Sequence, residues 1–212
     1  MTRIELLSAS IAERPVVMRL PFQFGSTEVR ETAEAHCRVE IMVDGWRAAG
    51  RAAQLMVPRW FNKAPTLSNA DTIDELRRVV ATAVQAAPGQ AGTALEVTRA
   101  LRARLSQDLP EVPRLARGFG PALVEMAMID ALCRGLELPF WQAAQADVFG
   151  LAAGCPADQA PEDVTRSLAR IGPPERLVLR HTVGFDAPLW RADVGPEAPD
   201  DGWPLTLEEV IG

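Results

Sequence analysis

Between His36 and Val43 the chain follows a period of two. Cys37, Val39, Ile41 and Val43 are apolar, and His36, Arg38 and Glu40 lie between them. A period of two sends the two sets to opposite faces of a β-strand, so one face is to be buried and the other wetted. Asp44-Gly45 follows at once. Both central residues of a type I′ turn need φ > 0, which this pair tolerates, so the strand is expected to fold back as a hairpin. Trp46 to Met56 is the returning strand, and its Ala48, Ala49, Gly50, Ala52 and Ala53 leave one face open to close packing. Any fold of this chain must therefore hold an antiparallel sheet with something laid tightly against it. Arg3 to Ser8 and Val16 to Leu20 are further short β-friendly stretches, with Pro21-Phe22-Gln23-Phe24-Gly25 as a loop after them.

From Asn69 the period becomes helical. Ile73, Leu76, Val79, Val80, Ala83, Val84 and Ala87 recur at steps of three and four, and Pro88-Gly89 stops the run. Ser68, Asn69 and Asp71 are candidate caps. Thr93 with Glu96 forms a capping box for a second helix reaching about Gln107. Pro121 opens a third, near Leu123 to Arg134, whose only polar residues are Glu125, Asp130 and Arg134, so it should be almost wholly buried. Strands first and helices second predict an α+β fold, a β-meander with a helical bundle.

Residues 150–175 are rich in Ala, Gly and Pro and read as a looser connection. Arg176 to Val183 is expected as one more strand, buried on both faces because Leu177, Val178 and Leu179 are contiguous. Without neighbours such a strand leaves its backbone groups and apolar side chains exposed, so this segment is expected to be poorly ordered or to drive self-association. A proline-rich loop follows, and Thr206-Leu207-Glu208-Glu209 is another capping box. The chain stops three residues later, so the sequence announces a helix it does not supply and reads as cut within a larger fold.

Composition excludes several classes. Apolar residues are 48% and charged residues 24%, as in globular proteins, and the net charge of −6 argues against nucleic-acid and anionic-membrane partners. A full (β/α)8 barrel takes roughly 250 residues, too many to stand beside a second domain here. Lys63 is the only lysine, which excludes chemistry needing two. Cys37, Cys133 and Cys155 are far apart, and Arg3, Glu5 and Glu13 interrupt any leader, so the chain reads as cytoplasmic with reduced thiols.

The chemical motifs are few. His36 and His181 are the only histidines, without HExxH spacing, so no zinc site is expected. His36 belongs on an exposed strand face, and His181 closes the expected strand 176–183, where α/β sites are built. Gly118-Phe119-Gly120 reads as a structural turn, and no GxSxG elbow exists. Glu125 and Asp130 are five apart and do not form a dyad; Asp130 and Arg134 can pair. Two loops stand out because aromatics and prolines replace the polar residues expected there: residues 21–25 and 57–63. Arg59 and Lys63 in the second would suit an anionic group.

The opening strand, Pro21-Phe22-Gln23-Phe24-Gly25, Val43-Asp44-Gly45, Pro58-Arg59-Trp60-Phe61-Asn62-Lys63, and the helix Gly120 to Arg134 with Leu138-Pro139-Phe140-Trp141 after it resemble one family. It is the enolase superfamily, in its mandelate racemase and muconate lactonizing enzyme branch, and the likeness is to the N-terminal capping domain. The resemblance implies a cap over residues 1–150, a linker at 151–175, and the first strand of an incomplete TIM barrel within 176–212. It implies that loops 21–26 and 57–63 define a substrate pocket, with Phe22, Phe24, Arg59, Trp60, Lys63 and His181 as substrate contacts. In the family a lysine or histidine base removes the proton α to a carboxylate, and Mg2+ on three acidic ligands stabilises the enolate, in racemases, dehydratases and cycloisomerases. The strand with paired lysines and the metal ligands have no counterpart here, so no catalytic or metal residue carries over, and no cofactor is expected in this chain. Alone it is expected to be inactive. A small carboxylate is a partner only when a barrel is supplied, by self-association or a barrel-bearing chain. The alternative is a non-catalytic module that pairs with a separate chain.

Overall fold

The computed structural model describes residues 2–180, 182–184, 187–196 and 198–211. The sheet is antiparallel, in the order β3-β2-β1-β4. Strand β1 runs Ile4–Phe24, β2 Thr27–Val43, β3 Trp46–Leu55, and β4 is the two-residue Ala91–Gly92. The α+β expectation holds, and the hairpin is where the sequence put it. Val43 pairs with Trp46 across Asp44 and Gly45, whose φ values of 49° and 82° are those of a type I′ turn.

The first 24 residues differ from the reading. The stretches 3–8 and 16–20 are parts of one long strand, and 22–24 pair with 27–29 at its end rather than forming a loop. The pairing register shifts between Val17 and Phe22, which absorbs Pro21. Proline cannot donate to a ladder, and β1 tolerates Pro15 and Pro21 because beyond Ile4 and Glu5 only β2 pairs with it.

The odd-numbered residues of β2 from Ala33 to Val43 are buried. Against them lies α4 (Phe119–Gly135), which starts earlier than the sequence implied, with Pro121 inside its first turn. The small residues of β3 have the predicted use. A Cβ on Gly50 would overlap the Ala127 carbonyl and the Ala131 backbone, so helix and strand touch main chain to main chain. Helices α1 (Asn69–Ala86) and α2 (Ala94–Asp108) flank α4, and both open on the predicted caps: Ser68 with Asp71, and Thr93 with Glu96. The short α3 (Arg114–Arg117) leads into α4. One core joins Leu6, Ile41, Leu76, Leu101, Leu123 and Met128. Within α4, Met126 departs from the expected all-round burial and is 40% exposed.

After α5 (Phe140–Gln145), the connection is less loose than its composition implied. It holds α6 (Pro161–Leu168), buries Leu168, and is tied back by Gln145 Nε2 donating to the Ala169 carbonyl at 3.1 Å. The expected strand at 176–183 is absent among the described residues: 177–180 and 182–184 form no ladder. Leu177, Val178 and Leu179 are 90%, 91% and 96% exposed. A strand is defined by its hydrogen-bonded neighbours, and among the described residues none pairs with Leu177, Val178 or Leu179. The chain then returns to the body through a 3-10 turn at Arg191–Asp193 and ends in α7 (Leu207–Ile211). The predicted box at its start is present, with Glu209 N–H donating to Thr206 Oγ1 at 3.2 Å.

Candidate functional site

The hairpin end of β1 and β2 and the turn after β3 meet at one end of the sheet. Phe24 and Trp60 contact edge to face, with ring centroids 5.0 Å apart, and Phe22 lies 6.0 Å from Phe24. Trp60 keeps 51% of its surface exposed, so the three rings form an aromatic wall with one open side. Three of the residues singled out in the sequence thus come together from two separate segments, the end of β1 and the turn after β3.

The turn that aims Trp60 is held from behind. Arg59 has φ of 57°, unusual for a large side chain, and two bonds hold it there. Its N–H donates to Thr72 Oγ1 at 3.0 Å, and its guanidinium donates to the Leu67 carbonyl at 2.5 Å. Arg59 is therefore engaged with its own chain near the start of α1 and braces the loop. Asn62 is fixed by donating to both oxygens of Glu75 at 3.1 Å. Phe61 points the other way from Trp60, packing edge to face on Phe119 at 5.0 Å. Lys63 is exposed. His181 lies outside the described residues.

The far end of the chain comes to the same hairpin, which sequence reading missed. A Cβ on Gly184 would sit 3.3 Å from the Phe22 ring. Arg19 of β1 makes a bidentate pair with Asp201, both bonds at 2.7 Å, and donates to the carbonyls of Trp203 and Pro204 at 3.0 Å. The guanidinium holds the Asp201 carboxyl down to about 2 and is itself raised. Leu205 and Thr206 are buried beneath this clamp. A cavity of about 490 Å3 remains between hairpin and returning chain, lined by Arg19, Pro21, Gln23, Pro188 and Leu205 among others. No local signal marks Arg19: its partner is 182 positions away.

The polar residues elsewhere are paired as structure. Arg77 bridges Glu13 on β1 and Asp74 on its own helix, and its hydrogen bonds hold the Glu13 carboxyl below its usual range. Asp130 accepts from Arg134 and from the Arg51 N–H, both at 2.9 Å, so the expected pair also pins β3. Glu34 on β2 faces both Arg14 and His36 at 2.8 Å on the wetted side of the sheet. All three cysteines are free, and burial pushes the Cys37 thiol up to about 11. Among the described residues no three of His, Cys, Asp and Glu come together as metal ligands, so the donors present do not fit a resident Mg2+. No helix among the described residues is long and apolar enough to cross a membrane.

Several solved structures are similar to part of the chain. An enolase from Bradyrhizobium, complexed with magnesium and mandelic acid, is 14% identical over 67% of this chain and 35% of its own, with a TM-score of 0.45. A mandelate racemase/muconate lactonizing enzyme-like protein from Rubrobacter xylanophilus is 18% identical over 66% and 33%, with a TM-score of 0.43. The L-Ala-D/L-Glu epimerase from Bacillus subtilis is 18% identical over 66% and 34%, also at 0.43. The chain spans about a third of the length of these proteins. No protein-family model and no curated protein matches it.

Proposed function

We propose that this chain is the capping, substrate-specifying part of an enolase-superfamily protein of the mandelate racemase and muconate lactonizing enzyme type, working in the cytoplasm. The reading rests on the residue-level resemblance and on one observation: the two loops assigned to a substrate pocket converge, Phe24 on Trp60 at 5.0 Å. A rigid aromatic wall with one open side can cover the apolar part of a small carboxylate at little conformational cost. Arg59 fixes the turn that aims Trp60, and Lys63 stands exposed three residues on as a counter-charge. The proton-abstracting base and the Mg2+ ligands would come from a barrel, because no such cluster of donors is found among the described residues. Exposed Leu177 to Leu179 is the segment that would join it as a first strand.

The same exposed segment also suits the second reading, a non-catalytic module that pairs with another chain. One experiment separates them. This chain is co-expressed with the polypeptide encoded next to it at its locus, and the pair is incubated in D2O with Mg2+ and a set of carboxylates including mandelate and dipeptides. The first reading expects proton NMR to show exchange α to the carboxylate, and Trp60→Ala to raise KM about tenfold or more. A stable pair without exchange supports the module. Exchange indifferent to Trp60→Ala removes the specificity role of the wall.

A further inference from the structure

On the helical side of the molecule two cavities adjoin and share Arg102 of α2, Arg114 of α3 and Gly118. The larger, about 640 Å3, has an apolar lining that includes Phe61, Leu115, Phe119 and Met126. The smaller, about 250 Å3, adds Ser106 and Arg117. No carboxylate is among the residues lining either cavity. Arg117 donates only to the neutral carbonyls of Leu109 and Pro110, at 3.2 and 3.4 Å, and Arg102 has Glu125 no nearer than 3.6 Å. Among the described residues Arg114 has no ion-pair partner. Three arginines therefore line the two adjoining cavities with a single long ion pair among them, Arg102 with Glu125, in a chain whose net charge is −6.

The apolar side is equally unspent. Leu115 is 64% exposed and Met126 40%, although each belongs to a helix with a buried face. The Phe61–Phe119 pair forms a firm floor, and methionine adapts its shape to what it meets. A concave apolar pocket of a few hundred Å3 with a few convergent polar groups is the usual form of a small-molecule site. Guanidinium forks match a carboxylate in shape and charge and lose little hydration in pairing with it.

We infer that this double cavity binds an amphipathic carboxylate. Its head group is held at Arg102, Arg114 and Arg117, and its apolar body lies over Phe61, Phe119, Leu115 and Met126. Both halves are needed: the arginines without the groove would bind any anion weakly, and the groove without them would have no preference for charge. The inference stands apart from the capping role and from the aromatic wall at Trp60.

The test is calorimetry on the whole chain with decanoate, against acetate as head without tail and decanol as tail without head. Decanoate is expected to bind saturably with one site per chain, and acetate and decanol at least about tenfold more weakly. Arg114→Gln and Leu115→Glu alter exposed side chains on a surface helix, so the fold should stand, checked by circular dichroism. Each is expected to weaken decanoate about tenfold or more. Trp60→Ala should leave it unchanged. Absence of saturation, equal binding of decanol, or binding indifferent to both variants overturns the inference.

Discussion

Cys37 to Val43 and Leu177 to Val183 are both short, apolar, β-prone stretches, and they meet opposite fates. The first pairs on both sides, with Ile11 opposite Cys37 on one edge and Ala52 on the other. Its inward side chains lie under α4 with almost no exposure. The second has no ladder among the described residues, and three of its apolar side chains stand nearly free. The difference lies in what is adjacent in space, since β-propensity expresses itself only where a neighbouring strand supplies hydrogen bonds and a layer covers the face. The returning segment between them in character, 187–206, shows a third outcome: it is held at one charged clamp and a small buried patch around Leu205.

The sharpest test of this contrast is hydrogen exchange. Amides of Cys37 to Val43 should open only with global unfolding, about 5–15 kcal/mol for a domain of this kind, while those of 177–180 should exchange near the rate of a free peptide. Equal protection would mean that the segment has found a partner, in this chain or in a second copy.

Side-chain truncation extends the comparison into the helical layer. Leu123→Ala removes a wholly buried side chain beneath the sheet and should cost about 2–5 kcal/mol in chemical denaturation. Met126→Ala, one turn away and half out of the core, should cost less than about 1 kcal/mol. Similar costs at both positions would place α4 differently from its position here.

The clamp should break without the core noticing. Arg19→Ala is expected to free the Trp190 and Trp203 region, seen as a change in tryptophan fluorescence, and to leave the main unfolding transition unmoved. Acid should do the same. Asp201 is depressed on folding, so its contribution is complete above its ordinary value of 3.8 and is lost as the pH falls through about 2. The fluorescence change in wild type should therefore appear below about pH 4 and be absent in Asp201→Asn. The smallest effect is expected at the free segment: Val178→Lys should move stability by no more than about 0.5 kcal/mol, since nothing covers that side chain.

Much of the fold was legible because it is local. The alternation of β2, the Asp44-Gly45 turn, the boxes at Ser68, Thr93 and Thr206, and the Asp130–Arg134 pair each depend on residues a few positions apart. The early loop at 21–25 was misread because prolines signal interruption, yet an edge strand accepts them. The site was legible in part. Aromatics in two loops marked Phe22, Phe24 and Trp60, but nothing local shows that Arg59 turns back to Leu67 or that Phe61 faces the core.

By itself the sequence determined which stretches could be strands and helices, where they turn, and which face of each is apolar, because those properties follow from backbone period and capping. Only the tertiary structure decided that the strand end at 22–24 and the turn at 60 share one aromatic wall, that Arg19 holds residues 201–204, and that three arginines line cavities beside an apolar groove. It also decided that 177–179 stay bare. Those outcomes depend on contacts between residues far apart in the chain, and such contacts form only when packing supplies both partners at once.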